Sequence, residues 1–267
     1  MNWLEYLKAV VMGTVEGITE FLPISSTGHL IIAGHVIDFS GPMAENFEIV
    51  IQLGAILAVC WLYRDRLLRV AQGLRSDTSA QRFVLNLLVA FIPAAVIGLL
   101  LHHQIKALLF NPVTVAIALI VGGFAILLVE RLHISVRTND IDELKLTDAF
   151  KIGCVQILAL IPGTSRSGAT IIGGLLCGLS RTAATEFSFF LAIPVMFAAT
   201  GLDLVKSAGS FTSDYAIVLA IGFITAFITA VLAVKTFIRY VSGHDFTAFA
   251  IYRVVFGALC LWHYWPK

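Results

Sequence analysis

Two short stretches hold most of the residues able to do chemistry. The first contains Glu16, Glu20, Ser25, Ser26, Thr27, Gly28 and His29, and the second reads Pro162-Gly163-Thr164-Ser165-Arg166-Ser167-Gly168-Ala169-Thr170. Glu16 and Glu20 are four apart and share one helix face. Two carboxylates on one face, near hydroxyls and opposite a guanidinium, suit a divalent cation such as Mg²⁺ or Ca²⁺, whose hard charge takes oxygen ligands. The plainer reading is a pair of interfacial carboxylates held by hydrogen bonds. Ser25 stands where it would cap a helix restarting after Pro23, and Ser26 and Thr27 add two more hydroxyls to the first turn. His29 follows Ser25 by four residues and Ser26 by three, so either hydroxyl is within reach of its ring. The spacing fits a nucleophile with its general base, a histidine that is itself phosphoryl acceptor or acid, or a capping cluster beside a satisfied histidine.

The second stretch reads as an anion cradle. Glycines let backbone approach a ligand, a helix N-terminus offers free N–H groups, and Arg166 with Ser165, Ser167 and Thr170 completes it. The order G-x-x-x-x-G-K-[ST] is missing, so nucleotide binding is not implied. Arg166 has no acid beside it in sequence and needs a counter-charge, for which Glu20 and Glu186 are the candidates. Glu48 with Gln52, and Glu186 in the second stretch's neighbourhood, read as supports for the site rather than as its chemistry. Arg181 and Arg253 read as interfacial anchors or inter-helix partners.

The elements that must carry these residues follow from composition. Of 267 residues, 58% are hydrophobic and 13% charged, and the mean hydropathy is +0.91. A soluble domain carries about 25% charged residues, so a soluble globule is excluded. Eighteen Lys and Arg against 17 Asp and Glu leave no basic excess for a nucleic-acid partner. The opening MNWLEYLKAV does not read as a removable signal peptide. Cys60, Cys154, Cys177 and Cys260 sit singly in apolar stretches, which argues for packing rather than a disulfide frame or a zinc site.

Apolar runs long enough to span a bilayer are expected at 46–63, 82–101, 112–130, 186–204, 216–238 and 247–265. Residues 9–38 and 148–180 are also apolar, but Pro and Gly break each in the middle. Each is therefore expected as two short helices joined at depth, a re-entrant hairpin. A shift of 140 residues lays one broken region on the other without a gap: Gly13 on Gly153, Ser25 on Ser165, Gly28 on Gly168, Gly34 on Gly174. The fold expected is an all-α polytopic membrane protein, a single unit over 1–267. It has about six spanning helices and an internal repeat, with halves near 1–130 and 141–267. Arg64, Arg66, Arg69 and Arg75 mark the loop after the first span as cytoplasmic. Alternation then puts 102–111 and 202–215 outside and 131–147 and 239–246 inside. Three spans separate the hairpins, so the repeat is of inverted topology, with a site where the halves meet near the membrane interior.

The motifs Glu16-Gly17-Ile18-Thr19-Glu20-Phe21-Leu22-Pro23-Ile24-Ser25-Ser26-Thr27-Gly28-His29 and Pro162-Gly163-Thr164-Ser165-Arg166-Ser167-Gly168 resemble the two signatures of the undecaprenyl-pyrophosphate phosphatase family, also called bacitracin-resistance proteins. The resemblance extends over essentially the whole chain, including FEIVIQLGAILAV and EFSFFLAIP. It implies an integral enzyme of the bacterial cytoplasmic (inner) membrane that removes the terminal phosphate of a C55 polyprenyl pyrophosphate. That reaction regenerates the lipid carrier for peptidoglycan and other envelope polymers. The resemblance further implies divalent-metal dependence, a site opening towards the periplasm, and a homodimer embedded among membrane lipids. On it, Glu16 and Glu20 take the acidic positions, Ser25, Ser26, Thr27 and His29 the hydroxyl and histidine positions, and Arg166 with Ser165, Ser167 and Thr170 the phosphate-binding positions. The mechanism expected is attack by Ser26 assisted by His29, with Glu20 and Glu16 acting through the metal; attack by water with His29 as base is the other route. Inverted repeats with broken helices also occur in secondary transporters, so a carrier or flippase of a phosphorylated polyprenyl lipid is the competing class.

Overall fold

The computed structural model describes residues 3–39, 41–109, 111–132, 134–207 and 216–265. Its helices are α1 (Trp3–Thr19), α2 (Ser26–Val36), α3 (Pro42–Leu62), α4 (Arg64–Gly73), α5 (Thr78–Leu109), α6 (Pro112–Arg131), α7 (Leu146–Gln156), α8 (Arg166–Leu176), α9 (Arg181–Ser207), α10 (Ala216–Val241) and α11 (Thr247–Tyr264). Short 3-10 turns lie at Ile141–Glu143 and Ile157–Leu160, and no strand forms among the described residues.

Among the described residues five helices, α5, α6, α9, α10 and α11, are long and apolar enough to cross a membrane; α3 with α4, bent by 73° at Tyr63, makes a sixth when the pair is taken as one span. These are the six runs expected. The chain is a multi-pass membrane protein, and its outer surface agrees: Leu99 and Leu100 are each 69% exposed and Trp262 78%. Bare apolar side chains of that size belong against lipid, not water. The bend after α3 comes where the apolar run meets Arg64, Asp65 and Arg66, so α4 leaves the span direction as its charges begin.

Inside, α1 and α3 pack on α10, α5 on α7, α3 on α9, and α6 on α11. Close approach rests on small residues, as lipid-embedded helices require. A Cβ added at Gly13 would lie 2.6 Å from the Gly222 carbonyl oxygen of α10, and one at Gly153 would lie 2.8 Å from Cα of Ala90 in α5. Gly13 and Gly153 are the pair that the 140-residue shift superposes.

Both broken regions are helix pairs, α1 with α2 and α7 with α8, each pair in mutual contact. The same shift carries α2 end for end onto α8, Ser26–Val36 onto Arg166–Leu176. The residues just before them, Ser25 and Ser165, have φ of 70° and 74°, a left-handed backbone that costs a non-glycine residue about 1–3 kcal/mol. Strain repeated at matching positions marks both breaks as built features.

Candidate active site

The breaks meet. α1 ends at Thr19, and the turn through Glu20–Ile24 delivers Glu20 to the start of α8. Arg166, the first residue of α8, donates from Nη2 to Glu20 Oε1 at 2.9 Å. Ser26, the first residue of α2, donates from Oγ to Glu20 Oε2 at 2.5 Å. One carboxylate thus holds a hydroxyl on one oxygen and a guanidinium on the other, and each partner opens a helix. The counter-charge of Arg166 is therefore Glu20, not Glu186.

The same guanidinium donates from Nη1 to the Ser188 carbonyl of α9 at 3.1 Å and lies 5.7 Å from the Phe21 ring centroid. Thr170 Oγ1 lies 2.7 Å from Ser188 Oγ. Ser167 Oγ donates to the Leu22 carbonyl at 2.7 Å, a second tie between the breaks. Ser165 Oγ accepts the Gly168 N–H at 3.1 Å and lies 3.0 Å from Ser167 Oγ. So Ser165 caps α8 with its side chain. Ser25 does not cap α2: the left-handed turn there presents its carbonyl instead, which His29 takes.

His29 sits apart from Ser26. Its Nδ1 donates to the Ser25 carbonyl at 2.8 Å, which leaves Nε2 to accept from the Tyr252 hydroxyl at 2.6 Å. The ring stacks at 4.4 Å on Phe256 of α11. Helical spacing put His29 within reach of either hydroxyl. The tertiary contact with α11 turned the ring the other way, and Glu20 occupies the place beside Ser26 that the histidine was expected to fill.

Glu16 is fully buried, and neither carboxylate oxygen has a hydrogen-bond partner. It lies within electrostatic range of Glu20, Glu48 and Arg166. When ionised, a buried carboxylate without donors needs a cation. Among the described residues no group of three or more His, Cys, Asp or Glu is gathered as a metal cage. Mg²⁺, however, is commonly held by one or two carboxylates together with substrate phosphates, and Glu16 with Glu20 fits that donor set. Gln52 is half-buried one turn beyond Glu48, and Thr27 is half-buried beside Ser26. Glu186 belongs elsewhere, within electrostatic range of Arg66, Asp140 and Asp142.

A family model described as bacitracin resistance protein BacA matches residues 9–259. The chain belongs to the BacA family. It is 57% identical to an undecaprenyl-diphosphatase of Methylobacillus flagellatus over 99% of this chain and 100% of the relative. It is 56% identical to the undecaprenyl-diphosphatase of Laribacter hongkongensis over 99% and 97%, and 58% identical to that of Nitrosomonas eutropha over 98% and 95%.

In this BacA-family chain three further residues contribute to the site. Ser188, which with Glu186 falls in the region of the second repeat matching Glu48 and Gln52 and so reads as a support of the site, meets Arg166 and Thr170 through its carbonyl and hydroxyl. The 140-residue shift pairs Ser188 with Glu48, a signal that was available. Tyr252 gave no such signal, since its contact with His29 spans 223 residues. Arg253, read as an interfacial anchor or helix partner, is 1% exposed and lies between the breaks. His133 and the side chains of His102 and His103 lie outside the described residues.

Proposed function

We propose that this chain hydrolyses undecaprenyl pyrophosphate to undecaprenyl phosphate and inorganic phosphate, the activity by which its relatives are named. The product is the lipid carrier for peptidoglycan synthesis, and its regeneration confers resistance to bacitracin. The observation that carries the reading is the Ser26–Glu20–Arg166 contact, a hydroxyl, a carboxylate and a guanidinium collected from two breaks inside a membrane protein.

The pyrophosphate binds against Arg166 and the N-terminus of α8, where Ser165, Ser167 and Thr170 shape the pocket with Ser25 and Thr27 opposite. Ser26 Oγ attacks the terminal phosphorus, and its proton passes to Glu20 Oε2, which already accepts that hydrogen bond. The new Oγ–P bond forms as the bond from that phosphorus to the bridging oxygen breaks, and the lipid monophosphate leaves. Water then cleaves the phosphoserine, releasing inorganic phosphate and restoring Ser26. Arg166 and the N–H groups of α8 offset charge developing on the phosphoryl oxygens. A divalent cation, Mg²⁺ or Ca²⁺, held by Glu16 and Glu20 would supply further positive charge to the same oxygens. His29 orients the α2 turn through the Ser25 carbonyl.

In the cell the chain sits in the bacterial inner membrane as a homodimer. Its halves, near 1–130 and 141–267, insert with opposite topology, and the site opens to the periplasm. The arginines of α4 support that orientation.

The test is phosphate release by the purified protein in detergent from a long-chain prenyl pyrophosphate, with Mg²⁺ or Ca²⁺ present. Release by the wild type, with a phosphorylated Ser26 trapped by acid quench, is the expected result. Lipid binding without release would shift the reading to a carrier or flippase. Release that survives intact in Ser26→Ala would move the attack to water. Size-exclusion chromatography with light scattering in the same detergent checks the dimer.

A further inference from the structure

A second guanidinium lies between the two breaks, and no sequence motif marks it. Arg253 of α11 is 1% exposed. Among the described residues, its hydrogen-bond partners are all backbone carbonyls. Nη1 donates to Pro23 at 2.9 Å; Nη2 donates to Gly163 at 3.1 Å, Thr164 at 2.9 Å and Ala118 at 3.2 Å; Nε donates to Leu119 at 3.3 Å. Pro23 and Gly163 are 140 apart, so in the repeat register the guanidinium grips the same carbonyl of each half. Among the described residues no carboxylate forms an ion pair with it, in contrast to Arg166.

The physical need is plain. A break inside a bilayer strips carbonyls of their helical donors, and lipid offers no replacement. A guanidinium carries five N–H donors in a rigid plane, enough to serve both breaks and α6 together. The surroundings leave room for that plane: a Cβ at Gly122 of α6 would lie 2.8 Å from Cζ of Arg253, and one at Gly168 of α8 would lie 3.1 Å from Nη1.

We propose that Arg253 is a positioning residue of the active site, setting the separation of the Ser26 break from the Arg166 break by holding equivalent carbonyls of both. It touches neither Ser26 nor Glu20, so its influence on turnover runs through the geometry of the two loops. The kinetic part of this inference rests on the hydrolase reading above; the structural part does not.

The experiment uses the full-length protein in detergent and two variants. Arg253→Lys keeps the charge but loses the fork. Gly122→Ala keeps Arg253 and displaces its guanidinium with one methyl group. Both are expected to lower kcat by about 100-fold, the scale of a 1 Å misplacement of reacting groups, with KM little changed. Both should also speed hydrogen exchange at residues 21–25 and 161–165 together. Should Arg253→Lys fail to fold, Gly122→Ala carries both readouts. Wild-type kcat in the variants, a loss that merely tracks the folded fraction, or faster exchange in one break alone overturns the proposal. If the wild type itself releases no phosphate, the hydrolase reading fails, and the paired exchange still decides the role of Arg253.

Discussion

Glu20 ties the two breaks together, since it accepts from Ser26 and pairs with Arg166. As the base for Ser26, its replacement by Gln is expected to lower kcat by about 10²–10⁴-fold, the usual contribution of a positioned base. Steady-state kinetics on Glu20→Gln checks this, and turnover near wild type would remove it from that role. If Glu16 holds the proposed cation, Glu16→Gln should instead raise the Mg²⁺ or Ca²⁺ concentration needed for half-activation, because it alters the carboxylate whose oxygens have no hydrogen-bond partner among the described residues. An unchanged metal titration in both glutamate variants would rule them out as ligands. Arg166→Ala is a less clean probe than its place in the motif suggests. With 11% and 10% side-chain exposure the pair with Glu20 is largely shielded from solvent, and removing one partner of a fully buried pair costs about 3–5 kcal/mol, an upper bound here. Arg166→Lys, which keeps the charge and loses the bidentate fork, separates phosphate recognition from folding when Tm is read beside KM. The spacing of Glu16, Glu20, Ser26 and Arg166 was enough to single them out. The direction of His29 was not, because a partner 223 residues away turns its ring.

The broken helices were legible because Pro and Gly interrupt apolar runs in a bilayer-length pattern, and the 140-residue register carried over to α2 and α8 at both ends. Their caps were not legible: Ser25 and Ser165 occupy matching positions and share a left-handed backbone, yet only Ser165 caps its helix with its side chain. His29 claims the Ser25 carbonyl, and Ala169 has no side-chain donor with which to do the same at Ser165. Packing between helices gives a sharper test of the repeat. Gly13→Val and Gly153→Val each push a side chain into the backbone of a neighbouring helix, and overpacking of that kind costs about 1–3 kcal/mol. Both should lower Tm in detergent by similar amounts. A large effect in one with none in the other would break the equivalence of the α1–α10 and α5–α7 contacts.

Orientation in the bilayer belongs to the assembled bundle. Single cysteines placed at 64–75 and at 202–207, in a background lacking Cys60, Cys154, Cys177 and Cys260, are expected to label from opposite sides of the membrane. Labelling from one side would overturn the topology. Residues 208–215 of that second loop lie outside the described residues. The linear order of residues was sufficient for the six spans, the two breaks and the scarcity of charge that makes Glu16, Glu20 and Arg166 conspicuous. These are local properties, set by hydropathy over a bilayer thickness and by the backbone limits of Pro and Gly. Which residues meet was a different matter. Lipid-facing and protein-facing surfaces are both apolar here, so no amphipathic stripe announces which faces pack. The joining of Glu20 to Arg166 across 146 residues, of His29 to Tyr252 across 223, and of Arg253 to Pro23 across 230 followed from how the helices stack.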